Sequence, residues 1–375
     1  MRILLDYRPA LRERTGVGEY VHELTRALVP TSGDASSGGD DLVLFSASWK
    51  DRLEPDRIPG ASTVDRKIPV SVLNYLWHRT GWPSAETLAR QPLDVVQSFH
   101  PLLIPATRAA QLVTIHDLDF LDHPERTSAE IRRDYPALAA RHARRAHHIV
   151  TISETTLIQI QRRFGVDRER ITVCSPGAPD WTRRTAEPDQ PCILFLGALE
   201  PRKNVGVLLE GYRRVLLQMP DAPPLVLAGK PGADSKTIMA HASDRPLAGR
   251  VEFPGYVPAA ERERLFNRAL LFIMPSHTEG FGMPVLEAMT LGVPVVVADR
   301  GALPEVVEDA GVRFEPDDAE GLAALLLDLI QNRTRRDNLR ERGWRRASAY
   351  DWRRSANSLR EAWRKAREAR DRTNG

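Results

Sequence analysis

Segment 275–289 reads PSHTEGFGMPVLEAM, and the architecture of the chain can be inferred outward from it. The apolar residues Ile273 and Met274 before it are typical of the end of a buried strand. Pro284 fits the first turn of a helix, where its missing N–H costs no hydrogen bond. The segment therefore predicts a strand–turn–helix junction in a parallel α/β sheet, and open sheets of this kind bind ligands at the carboxyl ends of their strands.

Two carboxylates lie eight positions apart in this segment. Glu279 falls in the predicted turn, and Glu287 lies one turn into the helix with its side chain directed back toward the turn. Both carboxylates can therefore face one crevice, and ionised carboxylates accept strong hydrogen bonds from sugar and ribose hydroxyls. Taken singly, Glu287 is also explained as a charge that favours a helix N-terminus, and Glu279 as an exposed loop charge.

The whole phrase resembles the donor-sugar motif of retaining GT-B glycosyltransferases of family 4. In that family the first carboxylate contacts donor-sugar hydroxyls and the second contacts the nucleotide ribose, which implies these roles for Glu279 and Glu287. The resemblance also places the residues between them at the donor: Gly280, Phe281, Gly282 and Met283. It covers nearly the whole chain, and is strongest from 192 to 312 and weakest at 45–93, where acceptor contacts are expected.

Length and alternation set the architecture. With 375 residues, the chain exceeds a typical single core, and strand and helix patterns alternate throughout. These features predict an α/β protein of two domains, and the resemblance implies the GT-B type, with two Rossmann-like domains facing across a cleft. The acceptor-side domain is predicted at 1–183 and the donor domain at 190–354, joined by a polar linker at 182–191. In the resembling family a terminal helix, here 355–375, packs back on the N-terminal domain.

Composition favours a cytoplasmic protein. No apolar run approaches the ~20 residues of a membrane-spanning helix, and the N-terminus lacks a signal peptide's apolar core. Cys174 and Cys192 form no metal or disulfide pattern, so each is expected to be a small buried hydrophobe.

Positive charge is concentrated in two stretches. Residues 126–184 hold 12 Arg against 6 acids, and residues 333–375 hold 15 Lys and Arg against 6 acids. Such stretches are typical either of a solvated Arg-rich surface or of one that contacts anionic lipid or an anionic substrate. With lipid contact, the protein would lie at the inner face of the membrane. No nucleic-acid-binding signature accompanies the charge, so nucleic acid is not expected as a partner.

A glycine turn, Gly16-Val17-Gly18, precedes the first predicted helix. Glycines allow close backbone approach, and a helix N-terminus offers free N–H groups, which together suit a phosphate. A plain turn and a dinucleotide fingerprint are the alternatives, but Val21 replaces the third glycine of that fingerprint. The turn resembles the family's glycine loop, which faces the donor diphosphate and the acceptor.

His116 ends a buried strand in a His-Asp-Leu phrase. A lone His is more often structural than catalytic, but the phrase is similar to one in the family whose His borders the donor sugar. Asp117 and Asp119 form a D-x-D pattern that can indicate a metal. GT-B enzymes generally need none, so we expect neither metal nor cofactor, and Asp117 is expected to fix the turn.

A phosphate clamp is predicted in the segment that begins at Gly197. Arg202 can bind two oxygens at once and Lys203 supplies a mobile point charge, so both would stabilise the negative charge on a departing diphosphate. Adjacent Arg-Lys pairs are also common on surfaces. The segment resembles the family's G-x-x-x-x-R-K-N clamp.

Further similarity to the family assigns the nucleotide pocket. Gly229 lies in an A-G-x-x-G segment that lines it, and the backbone around Tyr256 and Val257 is expected to read the base. Separately, Trp77 and Trp82 with His78 concentrate aromatic rings in segment 74–83, typical of core or of a loop facing the acceptor or a membrane. Their position in the chain leaves both interpretations open.

The resemblance implies hexose transfer from a nucleotide diphosphate sugar to a hydroxyl of a glycan or lipid-linked acceptor, with retained anomeric configuration, in surface polysaccharide synthesis. The opening Asp6-Tyr7-Arg8-Pro9 and the H-D-L and E-G-F-G-M-P phrases are similar to those of mannosyltransferase-like members, which favours mannose and GDP over a UDP-hexose. Two alternatives remain at this point: a non-catalytic nucleotide-sugar-binding partner of another transferase, and, less favoured, an NAD-dependent oxidoreductase.

Overall fold

The computed structural model of the chain describes residues 1–11, 14, 16–29, 39–126 and 129–374. Contacts divide the chain into two compact units. The first comprises residues 1–177 together with 351–375, and the second comprises residues 178–350.

The first unit is built on a parallel sheet. Its strands within the described ranges are β1 Arg2–Asp6, β2 Asp41–Ser46, β3 Ser62–Asp65, β4 Val95–Ser98, β5 Ala110–Ile115, β6 His148–Thr151 and β7 Ile171–Val173. Their order is β3-β2-β1-β4-β5-β6-β7, and every pair is parallel. The direction of strand succession reverses between β1 and β4, so the carboxyl ends of these two strands form a topological switch point.

Helices cover both faces of this sheet, which is why successive residues such as Ile3 and Leu4 in β1 are both buried. The helices described before the second unit begins are α1 Val17–Leu28, α2 Val70–Thr80, α3 Ala85–Ala89, α4 Asp119–Asp122, α5 Ala129–Arg145 and α6 Glu154–Phe164. Helix α1 buries Tyr20, Val21 and Leu24, which is the apolar stripe that a 3.6-residue period requires.

The second unit repeats the plan. Its strands are β8 Cys192–Leu196, β9 Leu225–Ala228, β10 Val251–Gly255, β11 Ala269–Met274, β12 Val295–Ala298 and β13 Val312–Phe314. They are parallel in the order β10-β9-β8-β11-β12-β13, so the switch point lies between β8 and β11. Its helices are α7 Val205–Gln218, α8 Ser235–Ala242, α9 Ala259–Asn267, α10 Met283–Leu291, α11 Leu303–Val307, α12 Ala319–Gln331 and α13 Arg333–Ala347. The prediction of an α/β fold with two Rossmann-like parallel sheets is confirmed.

The terminal helix α14, Trp352–Asn374, belongs to the first unit, where it packs against α1 and strands β4 to β7. One face of it is buried at helical spacing, through Ala356, Leu359, Trp363 and Ala366. The indole Nε1 of Trp363 donates to Oε1 of Gln97 at 3.2 Å, which satisfies two polar groups inside the core.

Both cysteines are free and buried, as the sequence predicts. No helix among the described residues is both long enough and apolar enough to cross a membrane.

Candidate active site

Glu279 lies at the switch point of the second sheet, in the turn between β11 and α10, and three side chains converge on it. Lys203 Nζ donates to Oε1 at 2.5 Å, Ser276 Oγ donates to the same oxygen at 2.7 Å, and Arg202 Nη1 lies 3.4 Å from Oε2. Arg202 and Lys203 come from the 3-10 turn Pro201–Lys203 that follows β8. The structure therefore brings together three of the four predicted catalytic residues.

The ion pair at the centre of this cluster is buried. Lys203 is 8% exposed and Glu279 is 9% exposed. Burial alone would raise the pKa of the Glu279 carboxyl, but the charges of Lys203 and Arg202 and the hydrogen bonds from Lys203 and Ser276 outweigh it and lower that pKa to about 2. Burial lowers the pKa of Lys203, and Glu279 opposes this shift. Glu279 is therefore an anion that compensates one of two neighbouring cations.

This ion pair predicts a specific pH dependence of stability. A carboxyl whose pKa falls from 4.5 to about 2 on folding stabilises the native state above pH 4.5, and the contribution is lost as the pH falls toward 2. The difference in unfolding free energy between the wild type and Glu279→Gln should therefore shrink by about 2 kcal/mol between about pH 6 and about pH 3. Urea unfolding at each pH measures it, and parallel curves for the two proteins would contradict the assignment.

Glu287 forms a second buried ion pair, which the sequence did not predict. Its Oε1 accepts from Nη1 of Arg262 at 2.7 Å, with both residues at most 9% exposed. Arg262 lies on α9, which begins just after Tyr256 and Val257, the predicted base-reading residues. The pair therefore connects the helix that follows the base-reading turn with the predicted ribose-binding carboxylate.

The strand-end turns of the second unit are held together by close backbone contact. Gly229 has φ +147°, and a Cβ there would lie 1.9 Å from the carbonyl oxygen of Gly197, so only glycine fits. The Gly229 N–H donates to the Gly255 carbonyl at 2.8 Å, and Lys230 Nζ lies 5.0 Å from the centre of the Tyr256 ring. The predicted pocket residues at the ends of β8, β9 and β10 are thus neighbours, and Val257 beside them is half-buried.

The residues between the two carboxylates shape the start of α10. Gly282 caps the helix with φ +98°, and Met283 is its first residue. Gly280 is buried. Phe281 is 2% exposed and packs edge-on against Tyr350, with ring centres 5.4 Å apart. Its side chain is part of the core, which leaves only its backbone for the predicted donor contact.

The predicted site residues of the first unit lie around the start of α1. Gly16 has φ +45°, whereas a Cβ on Gly18 would lie 2.6 Å from the Pro9 carbonyl oxygen. Position 16 therefore favours glycine because its φ is positive, and position 18 requires glycine because a side chain would clash with the Pro9 carbonyl. Val17 between them is exposed and begins the helix.

His116 lies in the loop after β5, beside α1. Its Nε2 donates to the Phe99 carbonyl at 3.1 Å, and its ring meets the Tyr20 ring edge-on with centres 5.4 Å apart. Burial lowers the pKa of His116 to about 4. At neutral pH the imidazole is therefore uncharged, with its proton on Nε2.

Comparison with known proteins identifies the family. The profile described as "Glycosyl transferases group 1" matches residues 179–346, and the profile described as "Glycosyltransferase Family 4" matches residues 14–180. Together they span both units. The chain belongs to glycosyltransferase family 4.

Individual relatives of this family 4 protein are distant but extend over its length. It is 26% identical to an O-antigen chain mannosyltransferase B of Escherichia coli over 94% of this chain and 96% of the relative. Among solved structures, a sucrose-phosphate synthase from Thermosynechococcus elongatus superposes with a TM-score of 0.74 at 19% identity, covering 97% and 98% of the two chains. WaaG, a glycosyltransferase involved in lipopolysaccharide biosynthesis, gives 0.71 at 16% identity, covering 96% and 98%. The two superpositions show the GT-B fold alone.

The first sheet of this family 4 protein also carries a polar cluster at its switch point, which the sequence did not predict. Asp6 at the end of β1 is buried and accepts from Arg8 Nε and Nη2, each at 2.7 Å. His100, just after β4, has Nε2 3.1 Å from Asp6 Oδ2, while its Nδ1 accepts from the Leu102 N–H at 3.2 Å. His100 is therefore the Nε2–H tautomer and donates to Asp6. Both sheets thus place a carboxylate–cation pair at the switch point.

The D-x-D pattern has a structural explanation. Asp117 Oδ1 accepts from the Asp119 N–H at 3.2 Å, so the side chain closes the turn that precedes α4. Within the described ranges, no three or more His, Cys, Asp or Glu residues are grouped closely enough to hold a metal ion.

Proposed function

We propose that this family 4 glycosyltransferase moves a mannosyl residue from GDP-mannose to a hydroxyl of a glycan or lipid-linked acceptor, with retention of configuration. The observation that carries the proposal is the cluster of Glu279, Lys203 and Arg202 at the switch point of the second sheet. Such a site offers cations for a diphosphate and a carboxylate for sugar hydroxyls. The mannosyl donor is favoured because one relative matched over nearly the whole chain is named as an O-antigen mannosyltransferase.

The Lys203–Glu279 ion pair suggests how the donor binds. With Glu279 ionised, the three charged side chains carry a net charge of about +1. A diphosphate would compete with Glu279 for Lys203, and the released carboxylate would then be available to the sugar hydroxyls. The two cations remain to stabilise the departing diphosphate, whose oxygen takes the acceptor proton in a front-face path.

The remaining roles follow the family pattern. Glu287 binds the ribose, and the backbone at Tyr256 and Val257 reads the base. The neutral imidazole of His116 borders the donor sugar, and the turn at Gly16–Gly18 contributes backbone N–H groups to the diphosphate. The first unit supplies the acceptor side, the second the donor side, and neither metal nor cofactor is used. The protein acts in the cytoplasm, in surface polysaccharide synthesis.

Calorimetric binding of GDP, UDP, ADP and NAD tests this proposal. Micromolar GDP binding, followed by slow GDP-mannose hydrolysis in the absence of acceptor, is the expected result. A preference for UDP would keep the transferase and overturn the mannosyl donor. Nucleotide binding without turnover, even with acceptor extracts, would favour the non-catalytic partner, and binding of NAD alone would overturn the proposal.

Arg262 is expected to position Glu287 for the ribose. Its replacement in Arg262→Gln should weaken GDP binding about tenfold but leave binding of 2′,3′-dideoxy-GDP nearly unchanged, because only the former presents ribose hydroxyls to Glu287. Arg262→Lys keeps the charge and should recover part of the loss. Calorimetry with both nucleotides measures the effect, and equal weakening for both would assign Arg262 to the fold alone.

A further inference from the structure

Exposed apolar side chains are concentrated in one part of the first unit. Among the described residues, ten large hydrophobic side chains are exposed, and half of them lie between positions 49 and 82. These five are Trp49 at 64%, Val70 at 36%, Val72 at 48%, Tyr75 at 63% and Trp82 at 61%. We call them the aromatic face. The concentration matters because scattered apolar residues are normal on a surface, whereas a contiguous patch marks an interaction site.

Helix α2 exposes part of this face to solvent, and another side of the helix packs into the core. Leu73 and Trp77 point inward, and the Trp77 indole donates to the Pro83 carbonyl at 2.9 Å. Val72, Tyr75 and Arg79 lie at helical spacing on an outward side. Of the aromatic rings noted in the sequence, Trp77 is therefore core and Trp82 is surface.

The aromatic face draws on separate segments of the first unit. Trp49 and Lys50, after β2, line one shallow depression together with Pro69, Val70 and Ser71 at the start of α2. On the helix itself, the Arg79 guanidinium lies over the Tyr75 ring at 5.9 Å. The loop after β2 and the start of α2 thus share one surface, and Tyr75 and Arg79 lie further along the same helix.

The charged side chains on α2 and immediately before it are all positive. Residues 66–85 contain no acidic residue but include Arg66, Lys67 and Arg79, and Lys67 and Arg79 are exposed. The acidic residue just before this segment, Asp65, is held by Arg52.

The basic stretch at 333–375 differs from α2 because acidic residues neutralise much of its positive charge. Many of its arginines are ion-paired within their own unit, as in Arg336 with Glu187 and Arg345 with Glu341. Its charge is therefore largely compensated, and the cations beside the aromatic face are better placed to attract an anionic surface.

We propose that the aromatic face is a membrane-docking surface that seats the first unit on a bilayer containing anionic lipid. Trp and Tyr rings lie at the headgroup level of bilayers, where one end of the ring is apolar and the other is wet. Long Lys and Arg side chains beside them reach anionic headgroups while their stems cover apolar surface. This adds a partner to the proposed function but does not depend on glycosyl transfer.

Vesicle sedimentation tests the proposal. The full chain should bind phosphatidylglycerol–phosphatidylcholine vesicles more tightly than pure phosphatidylcholine vesicles, and salt should weaken that binding. A triple variant, Trp49→Ser with Tyr75→Ser and Trp82→Ser, should lose binding about tenfold or more. The matched control is Leu217→Ser on α7, because Leu217 is 63% exposed but lies in the other unit, and it should bind as the wild type does.

Three outcomes would overturn the proposal: no binding of the wild type to anionic vesicles, equal binding by the triple variant, or a wild-type dimer that the triple variant dissociates, which would make a second copy the occupant. Unchanged circular dichroism and GDP binding in the triple variant would exclude unfolding. Vesicle binding without nucleotide-sugar turnover would support the docking surface and contradict only the proposed function.

Discussion

Replacing Glu279 with glutamine is expected to reduce glycosyl transfer by about 10² to 10³ while GDP binding stays unchanged or becomes tighter. The carboxylate compensates Lys203 at 2.5 Å and Arg202 at 3.4 Å. Removing its charge leaves both cations available to a diphosphate, but removes the group proposed to orient the sugar. Turnover of donor and calorimetric GDP affinity, measured on the same preparation, separate the two effects.

The matched control for this variant is Glu210→Gln. Glu210 also accepts from two cations, Arg213 at 2.7 Å and Arg214 at 2.9 Å, but the pairs lie on the solvent side of α7. Pairs that remain partly exposed to solvent contribute little, so the activity of Glu210→Gln should stay close to that of the wild type. A parallel loss of GDP affinity, turnover and thermal stability in Glu279→Gln would instead make Glu279 a structural residue.

Replacing Lys203 with alanine is expected to weaken GDP binding about 30- to 100-fold and GMP binding by less than about threefold, because only GDP carries the second phosphate. The same change leaves the buried Glu279 carboxylate without its nearest cation. Loss of one partner of a buried ion pair destabilises by about 3–5 kcal/mol, so melting temperature must be measured beside affinity.

A double variant separates folding from binding. Lys203→Met combined with Glu279→Gln removes both charges and should recover much of the lost stability, but neither GDP affinity nor turnover. Lys236→Ala, at an exposed lysine on α8, controls for loss of a positive charge and should bind GDP as the wild type does. Equal weakening of GDP and GMP by Lys203→Ala would contradict a diphosphate clamp.

The sequence predicted the sheet junctions well because they combine strong local signals. An apolar strand, a glycine turn and a proline in the first helical turn are enough to locate Glu279 and Glu287 at such a junction. The sequence could not show that Arg262 pairs with Glu287, since the two lie 25 positions apart on different helices. The same is true of Asp6 and His100, which only the parallel pairing of β1 with β4 brings together.

Helix α2 was not predicted, and its composition explains why. It buries Leu73 and Trp77 and also exposes Val72 and Tyr75, so apolar residues occur on more than one side and no single stripe stands out. Helix α13 was missed for the opposite reason, because its arginines make it polar almost all round. In both cases tertiary contacts determine the helix more than local pattern does.

Retaining transfer from GDP-mannose is tested most directly by proton NMR of GDP-mannose incubated with the purified protein, recorded as the first product forms. GDP-mannose carries an α-linked sugar, and mannose released with retention appears first as the α anomer, before mutarotation produces the β anomer. We expect GDP release with α-mannose first, and loss of that release in Glu279→Gln. First appearance of β-mannose would contradict retention, and no turnover of GDP-mannose or any UDP-hexose would contradict the proposed transferase.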